Sequence, residues 1–144
     1  MALIYLAHPY AAETEAKMQG NRRSAMAWGI WIARTFGVAV SADWIWWCEY
    51  LTETPENHEL GLRCDDQAIM KCDEFWMVGG RISGGMLRGE RVARGINIAV
   101  RDLTGWGVVP PKDAETARVG GIYSIYAQTL KLRSTLIEKG LISR

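Results

Sequence analysis

The residue types best suited to chemistry lie in the stretch Cys72–Gly95, where a carboxylate, a hydroxyl and several arginines follow a short apolar run. Residues 73–78 are apolar and aromatic, which is typical of a buried strand. A glycine-rich turn, Gly79–Gly85, and a short helix, Met86–Arg94, come next. Ligands of open α/β sheets bind beyond the carboxyl ends of the strands, and backbone N–H groups of such a turn can hold an anion. This stretch is therefore the predicted ligand site, unless the turn is only a connection and Glu90 only a solvated helix residue.

The other reactive side chains give no sign of metal or cofactor chemistry. Cys48, Cys64 and Cys72 form no CxxC pair, so we interpret them as free thiols. His8 and His58 belong to no HExxH pattern, and the chain contains neither a GxGxxG nor a GxxxxGK[ST] motif. The sequence predicts no metal ion and no cofactor.

Length and composition predict one globular domain, residues 1–144. The chain is 49% hydrophobic and 23% charged, with a formal net charge of +1. It has no basic tail, so nucleic acid is not an expected partner, and its apolar stretches are too short to span a bilayer. The start, MALIYLAHPY, lacks the features of a signal peptide, so we expect a cytoplasmic location.

Hydrophobic periodicity predicts alternating strands and helices. The predicted strands are Ala2–Ala7, Val38–Ser41, Asp73–Val78 and Ile96–Val100, with a possible edge strand at Gly107–Val109. The predicted helices are 21–37 with Asn21 as N-cap and Gly37 as C-cap, Pro55–Cys72, Met86–Arg94 and Tyr123–Lys139, while Ala11–Gly20 and the aromatic segment Asp43–Pro55 are expected to be loops. The fold class is α/β, a single-domain Rossmann- or flavodoxin-like three-layer sandwich with a parallel sheet of four or five strands, the first and third adjacent near the centre.

Four segments together resemble one enzyme superfamily over about the first hundred residues. They are IYLAHPY, NRRSAMAWGIWIARTFG, LGLRCDDQAIMKCDEFWMV and SGGMLRGERVARG. In this order and spacing they resemble the nucleoside 2-deoxyribosyltransferase superfamily, including its deoxynucleotide N-glycosidase relatives. The resemblance implies N-glycosidic bond chemistry on a small nucleoside or nucleotide, in which a glutamate attacks the anomeric carbon and water or a second base then takes the sugar.

The resemblance also assigns roles to residues. Glu90 corresponds to the nucleophile, Asp66 (with Asp65 as the alternative) to a helix aspartate that contacts the base, and Asp73 to the aspartate that begins a strand. The substrate-binding residues it implies are Tyr5, His8, Pro9 and Tyr10 around the sugar, Ser83, Gly85 and Met86 on the 5′ side, and Arg81 or Arg88 for a phosphate.

The chain departs from the superfamily pattern at two positions. His8 stands where glycine is usual, and Glu90 lies one residue later after Ser83 than the pattern expects, so Gly89 occupies the expected position. One residue is about 100° of rotation on a helix. The turn therefore contains an insertion, or the carboxylate points away from the pocket.

Two other functions compete with the enzyme. A nucleotide-binding module could keep the pocket without the nucleophile, and an interaction protein could use the tryptophan-rich segment as a partner surface. The load of large aromatic side chains, including Trp28, Trp31, Trp46 and Trp47, also predicts a homodimer or a higher homo-oligomer.

Overall fold

A computed structural model describes residues 2–110 and 137–140 of the chain. No helix within those ranges has the length and apolar character needed to cross a membrane. The strands are β1 Leu3–Ala7, β2 Ala39–Ser41, β3 Glu74–Met77 and β4 Ala99–Asp102. The helices are α1 Glu15–Phe36, α2 Trp44–Tyr50, α3 Pro55–Met70 and α4 Gly84–Gly95, followed by a 3₁₀ turn at Thr104–Trp106.

The four strands form one parallel sheet in the order β2-β1-β3-β4. This confirms the predicted fold class and the central, adjacent positions of the first and third strands. The order is that of a flavodoxin-like sheet: successive strands are added on one side of β1 and then on the other, and this change opens a crevice at the carboxyl ends of β1 and β3. In the register Tyr5 pairs with Phe75 and Ala7 with Met77, so the segments that follow the two strands emerge side by side.

Alternating side chains of the central strands face two different helical layers. Helix α1 covers one face, where Phe36 meets Trp76 edge to face at a centroid distance of 5.1 Å. Helices α3 and α4 cover the other face, where Ile69 and Gly89 lie against Phe75. The result is a three-layer sandwich whose core side chains are almost fully buried.

Helix α1 begins six residues before its predicted start at Asn21. Thr14 is the N-cap, and its hydroxyl accepts a hydrogen bond from the backbone N–H of Lys17 at 3.2 Å. Asn21 instead donates its side-chain amide to the carbonyl oxygen of Tyr10 at 2.8 Å and so ties down the loop after β1. The prediction of a loop at Ala11–Gly20 was wrong in its second half. The first turn of the helix is polar and Gly20 has low helix propensity, so the sequence did not show a helical pattern there. Gly37, with φ of 67°, ends the helix as predicted.

The segment predicted as a long aromatic loop contains helix α2. Aromatic and β-branched residues have modest helix propensity, which is why the sequence did not indicate a helix. The helix is held by tertiary contacts: Trp44 is buried and donates its indole N–H to the carbonyl oxygen of Leu6 at 2.9 Å. Packing thus outweighs propensity at this position.

Strand β4 lies three residues later than the predicted strand Ile96–Val100. Ile96 is the C-cap of α4, and Asn97 takes a positive φ of 62°, so the chain turns before it enters the sheet. The possible edge strand at Gly107–Val109 was wrong, because no strand follows β4 within residues 103–110. Of the predicted closing helix Tyr123–Lys139, residues 123–136 lie outside the described ranges.

Candidate active site

A cavity of about 350 Å³ lies where the chain leaves β1 and β3. Its walls come from the segments after these strands, from the middle of α2 and α3, and from the first turns of α4. The lining residues are Tyr5, Ala7, His8, Tyr10, Ala11, Trp44, Cys48, His58, Leu62, Asp65, Ile69, Phe75, Ser83, Gly84, Gly85, Met86, Arg88 and Gly89.

The floor of the cavity is aromatic. The rings of Tyr5 and Phe75 stack at a centroid distance of 5.3 Å with an interplanar angle of 5°. Both residues are buried, and burial together with the nearby Asp65 carboxylate raises the pKa of the Tyr5 phenol well above its ordinary value. Tyr5 is therefore a neutral hydrogen-bonding group at physiological pH.

The turn after β1 is fixed by His8. Its Nδ1–H donates to the carbonyl oxygen of Pro9 at 2.6 Å, and its Nε2 lies 3.0 Å from the Ser24 hydroxyl. Burial lowers the pKa of His8, although the bond to Pro9 opposes this. The ring also rests on Gly79, where a Cβ atom would stand 2.6 Å from Cδ2 of His8. Both ring nitrogens are thus engaged within the protein, and His8 shapes the wall of the cavity.

The start of α4 forms the opposite wall. Ser83 is the N-cap, and its hydroxyl accepts from the backbone N–H of Met86 at 3.3 Å. Gly84 and Gly85 open the helix and line the cavity. Their N–H groups belong to the first turn, which has no intrahelical partners for its amides. With the positive end of the helix dipole, this turn suits an anionic or strongly polar ligand group.

Asp65 is the carboxylate that faces the cavity. Its Oδ1 atom is buried and has no hydrogen-bond partner within the described part of the chain. Burial raises the pKa of the Asp65 carboxyl to about 6, against the opposing effects of the Tyr5 hydroxyl and the Arg88 guanidinium. A buried acceptor without a donor is costly, and such groups concentrate at functional sites.

Asp66, the preferred base-contacting residue in the sequence analysis, is paired elsewhere. Its two carboxylate oxygens accept from Nη1 and Nη2 of Arg88 at 2.8 and 2.9 Å, a bidentate ion pair that joins α3 to α4. Arg88 lines the cavity, but Asp66 does not. The alternative, Asp65, is the residue that reaches the cavity.

Gly89 occupies the position at which the superfamily pattern places the nucleophile, and the carboxylate is on the next residue, Glu90. The carboxylate of Glu90 accepts from Nε and Nη2 of Arg94 at 3.0 and 2.8 Å, one turn further along α4, and it does not line the cavity. Gly89 does line it, and a Cβ atom there would stand 2.8 Å from Cζ of Phe75. The face of α4 that points into the cavity thus carries no carboxylate at this level.

The remaining predicted site residues lie at the rim or outside. Tyr10, Ser83, Gly85 and Met86 line the cavity with Tyr5 and His8, whereas Pro9 does not. Arg81 is exposed and donates to the carbonyl oxygen of Ala11 at 3.3 Å. The Asp73 carboxylate accepts from the backbone N–H of Leu3 at 2.7 Å, at the amino end of the sheet and away from the cavity.

Several lining residues were not predicted from the sequence. Trp44 and Cys48 come from α2, a helix that the sequence did not indicate. His58 and Leu62 come from α3, which was predicted as a helix but not as a wall of the site. The sequence contained one indication of which face of α3 lines the cavity. Leu62, Asp65 and Ile69 recur at spacings of three and four, which places them on a single face of the helix.

Comparison with known proteins gives one family match. A family model described as Domain of unknown function (DUF7768) matches residues 2–103. No curated protein matches the chain. Among solved structures, the chain is similar to the Clostridium botulinum CMP N-glycosidase BcmB, with 16% sequence identity and a TM-score of 0.42 over 85% of this chain and 80% of that one.

Proposed function

The chain belongs to the family described as Domain of unknown function (DUF7768), and because that description names no reaction, we propose a function from the cavity itself. The cavity binds a nucleoside or nucleoside monophosphate and supports cleavage of its N-glycosidic bond, with Asp65 as the carboxylate at the reacting centre. The observation that carries this proposal is the buried Oδ1 of Asp65 beside Tyr5, which has no hydrogen-bond partner among residues 2–110 and 137–140, in a cavity bounded by the first turn of α4.

The size and lining of the cavity support a small, partly polar ligand. Its volume of about 350 Å³ lies at the lower end of the usual range for small-molecule sites. The aromatic floor suits a sugar or a base, and the amides of Gly84 and Gly85 suit a 5′-hydroxyl or a phosphate. Arg88 adds positive charge at that wall, although its pairing with Asp66 offsets much of it.

In the proposed reaction, the bond between the anomeric carbon and the base nitrogen breaks, and the bonding electrons leave with the base. The positive charge that develops on the sugar is stabilised by the Asp65 carboxylate. Asp65 takes a proton from the attacking water, whose oxygen bonds to the anomeric carbon. The departing base takes a proton from solvent, and Asp65 later returns its own proton to solvent, so that the reaction consumes one water molecule. A general base with a pKa near 6 is ionised at neutral pH and still accepts a proton readily.

The sequence resemblance implies a second mechanism for cleavage of the same N-glycosidic bond, in which Glu90 attacks the anomeric carbon and forms a covalent intermediate. It requires the Glu90 carboxylate to leave Arg94 and to turn toward the cavity past Gly89. The transfer of the sugar to a second base, in place of water, belongs to the same proposal.

A second candidate function is nucleotide binding without chemistry. It is favoured by Gly89, which leaves the cavity-facing side of α4 without a carboxylate and places Phe75 against the helix. In that case Asp65 would act as a hydrogen-bond acceptor for the ligand only.

The test is incubation of the purified protein with a panel of deoxynucleosides, ribonucleosides and their 5′-monophosphates, followed by chromatography for free base. Calorimetric titration with the same compounds measures binding. The enzyme predicts base release from at least one compound that also binds. Binding without release favours the binding module, and absence of both contradicts the nucleotide site altogether.

Self-association and a cytoplasmic location also remain proposals. Exposed apolar side chains on α2, such as Trp46 and Tyr50, with 48% and 82% of their surface exposed, support an interface there. Light scattering at micromolar concentration tests it, and a monomer mass would contradict it.

A further inference from the structure

The cavity continues outward into a second chamber of about 560 Å³, which we call the outer lobe. It lies between α2, the segment that joins α2 to α3, the first three turns of α3 and the first turn of α1. Asp65 and Trp44 line both chambers and stand where the two meet. The residues that belong to the outer lobe alone are Glu15, Met18, Trp47, Leu51, Thr52, Glu53, Asn57 and Gly61.

Large aromatic side chains form one wall of the outer lobe. Trp44 is buried and fixed by its hydrogen bond to Leu6, and Tyr10 tilts against it at a centroid distance of 6.1 Å. Trp47, three residues further along α2, also lines the chamber and is half-buried. Rigid indole faces of this kind bind flat apolar groups, and they attract cations through the negative face of the ring.

The charges of the outer lobe have one sign. Among the residues that the structure describes, its lining contains the carboxylates of Glu15, Glu53 and Asp65 and neither lysine nor arginine. Nε of the neighbouring Arg22 lies 2.7 Å from Glu49, and its Nη2 lies 2.9 Å from Glu15, so this cation is already neutralised by two carboxylates. Glu53 lies 3.0 Å from Nδ1 of His58 at the rim.

Aromatic walls and carboxylates together specify a ligand. We propose that the outer lobe binds a flat aromatic group that carries a positively charged amine. The ring packs against Trp44 and Trp47, and the ammonium group donates to the carboxylates. Among these, Asp65 offers a buried oxygen for which the described part of the chain supplies no donor. A phosphate or carboxylate would be repelled at the same position.

The outer lobe differs in this respect from the inner chamber, where the first turn of α4 and Arg88 favour an anionic group. A ligand that spans both chambers would therefore place its anionic end at Gly84 and Gly85 and its amine-bearing end against Trp47. The inference about the outer lobe does not depend on the proposed N-glycosidic chemistry, because its test uses no nucleoside and measures no turnover.

The experiment is calorimetric titration of the intact protein with three probes that share an indole ring: tryptamine, indole and indole-3-propionate. At low salt and neutral pH we expect tryptamine to bind at least about tenfold more tightly than indole-3-propionate, with indole between them. Added salt should narrow the difference, because the carboxylates at the rim are exposed to solvent. Equal affinities, or tighter binding of the anion, would overturn the proposal.

Variants locate the binding. Trp47→Ala should weaken tryptamine binding about tenfold, and Glu53→Gln should reduce the preference for the cation while retaining indole binding. Tyr50→Ala is the matched control, because Tyr50 lies on the same helix with 82% of its surface exposed and does not line either chamber. If Trp47→Ala and Tyr50→Ala behave alike, the ligand does not occupy the outer lobe and the proposal is wrong. Circular dichroism of each variant verifies that it is folded.

Discussion

Two carboxylate groups with buried oxygen atoms, Glu74 at the amino end of the parallel sheet and Asp65 beside its carboxyl end, have opposite surroundings. At the amino end, Asp73 accepts from the backbone N–H of Leu3, and the fully buried Glu74 accepts from the Trp76 indole at 2.8 Å and from Arg101 at 3.2 Å. At the carboxyl end, Asp65 has a buried oxygen with no donor among the described residues. Carboxylate oxygens are thus buried at each end, but only the buried carboxylate at the amino end has all its hydrogen-bond donors within the described part of the protein.

This difference separates structural from functional polar groups. A buried charge that is paired and hydrogen-bonded holds strands together and specifies their register. A buried acceptor that lacks a partner costs folding free energy, and a protein retains it where a ligand will supply the donor. The comparison therefore supports a structural role for the Glu74 network and the proposed site role of Asp65, and a substitution tests each of the two roles.

The largest expected effect is on Glu74. Glu74→Gln should lower the free energy of unfolding by about 3 kcal/mol, because it leaves the Arg101 guanidinium without its carboxylate between two strands. Chemical denaturation with urea measures the change. Glu13→Gln is the control, since the Glu13–Lys17 pair is exposed and its loss should leave stability essentially unchanged. Equal effects of the two substitutions would remove the structural role of the buried pair.

Gly89→Ala tests how closely α4 approaches the cavity floor. The added Cβ would stand 2.8 Å from Cζ of Phe75, so overpacking should cost about 1–3 kcal/mol of unfolding free energy. Gly20→Ala, on α1 with nothing within 4 Å of the added Cβ, should instead stabilise the protein by about 0.5–1 kcal/mol. Thermal and urea unfolding of the two variants should therefore move in opposite directions, and a stabilising Gly89→Ala would contradict the packing of Gly89 on Phe75.

Apart from the control variants, the smallest expected change in stability is a gain at Asp65. The pKa of this carboxyl rises on folding from its ordinary value to about 6, so the folded protein holds the proton more tightly and stability falls as pH rises toward 6. At pH 7 the free energy of unfolding of Asp65→Asn should therefore be about 1 kcal/mol higher than that of wild type, after allowance for partial solvent screening. The gain should shrink as the pH is lowered from about 6 to about 4.

Urea titrations of Asp65→Asn at several pH values measure this dependence. Glu59→Gln, at an exposed position of the same helix, is the control and should show no such trend. A loss of stability at pH 7 in Asp65→Asn would mean that the carboxylate has partners that hold it in the folded state.

The sequence predicted those strands and helices whose formation depends on the pattern of their own side chains. β1 is a continuous apolar run and β3 is apolar after Glu74, and their adjacency follows from the alternation of strands and helices. It did not predict α2, because Trp44 is held by Leu6, a contact across 38 residues. It misplaced β4, since Arg101 looks polar in the sequence and becomes compatible with the sheet only through its pairing with Glu74.

The sequence indicated where the cavity lies, and it was less informative about which side chains line the cavity. The cavity lies beyond the strands where the glycine-rich turn indicated it, and most of the expected lining residues are present. The choice between Asp65 and Asp66, and between Glu90 and the position before it, is a choice of helix phase. Neighbouring residues differ by about 100° around a helix, and the packing of α3 and α4 on the sheet sets that angle.

The central claim, that Asp65 is the carboxylate of the site, is tested most directly by base release from Asp65→Asn and Glu90→Gln beside wild type. Calorimetric titration of the same nucleotide shows whether each variant still binds. The account predicts that Asp65→Asn loses base release by several orders of magnitude while it remains folded, and that Glu90→Gln, whose carboxylate is bonded to Arg94 outside the cavity, keeps most of it. Loss of release in Glu90→Gln with full activity in Asp65→Asn would contradict the claim and restore Glu90 as the nucleophile.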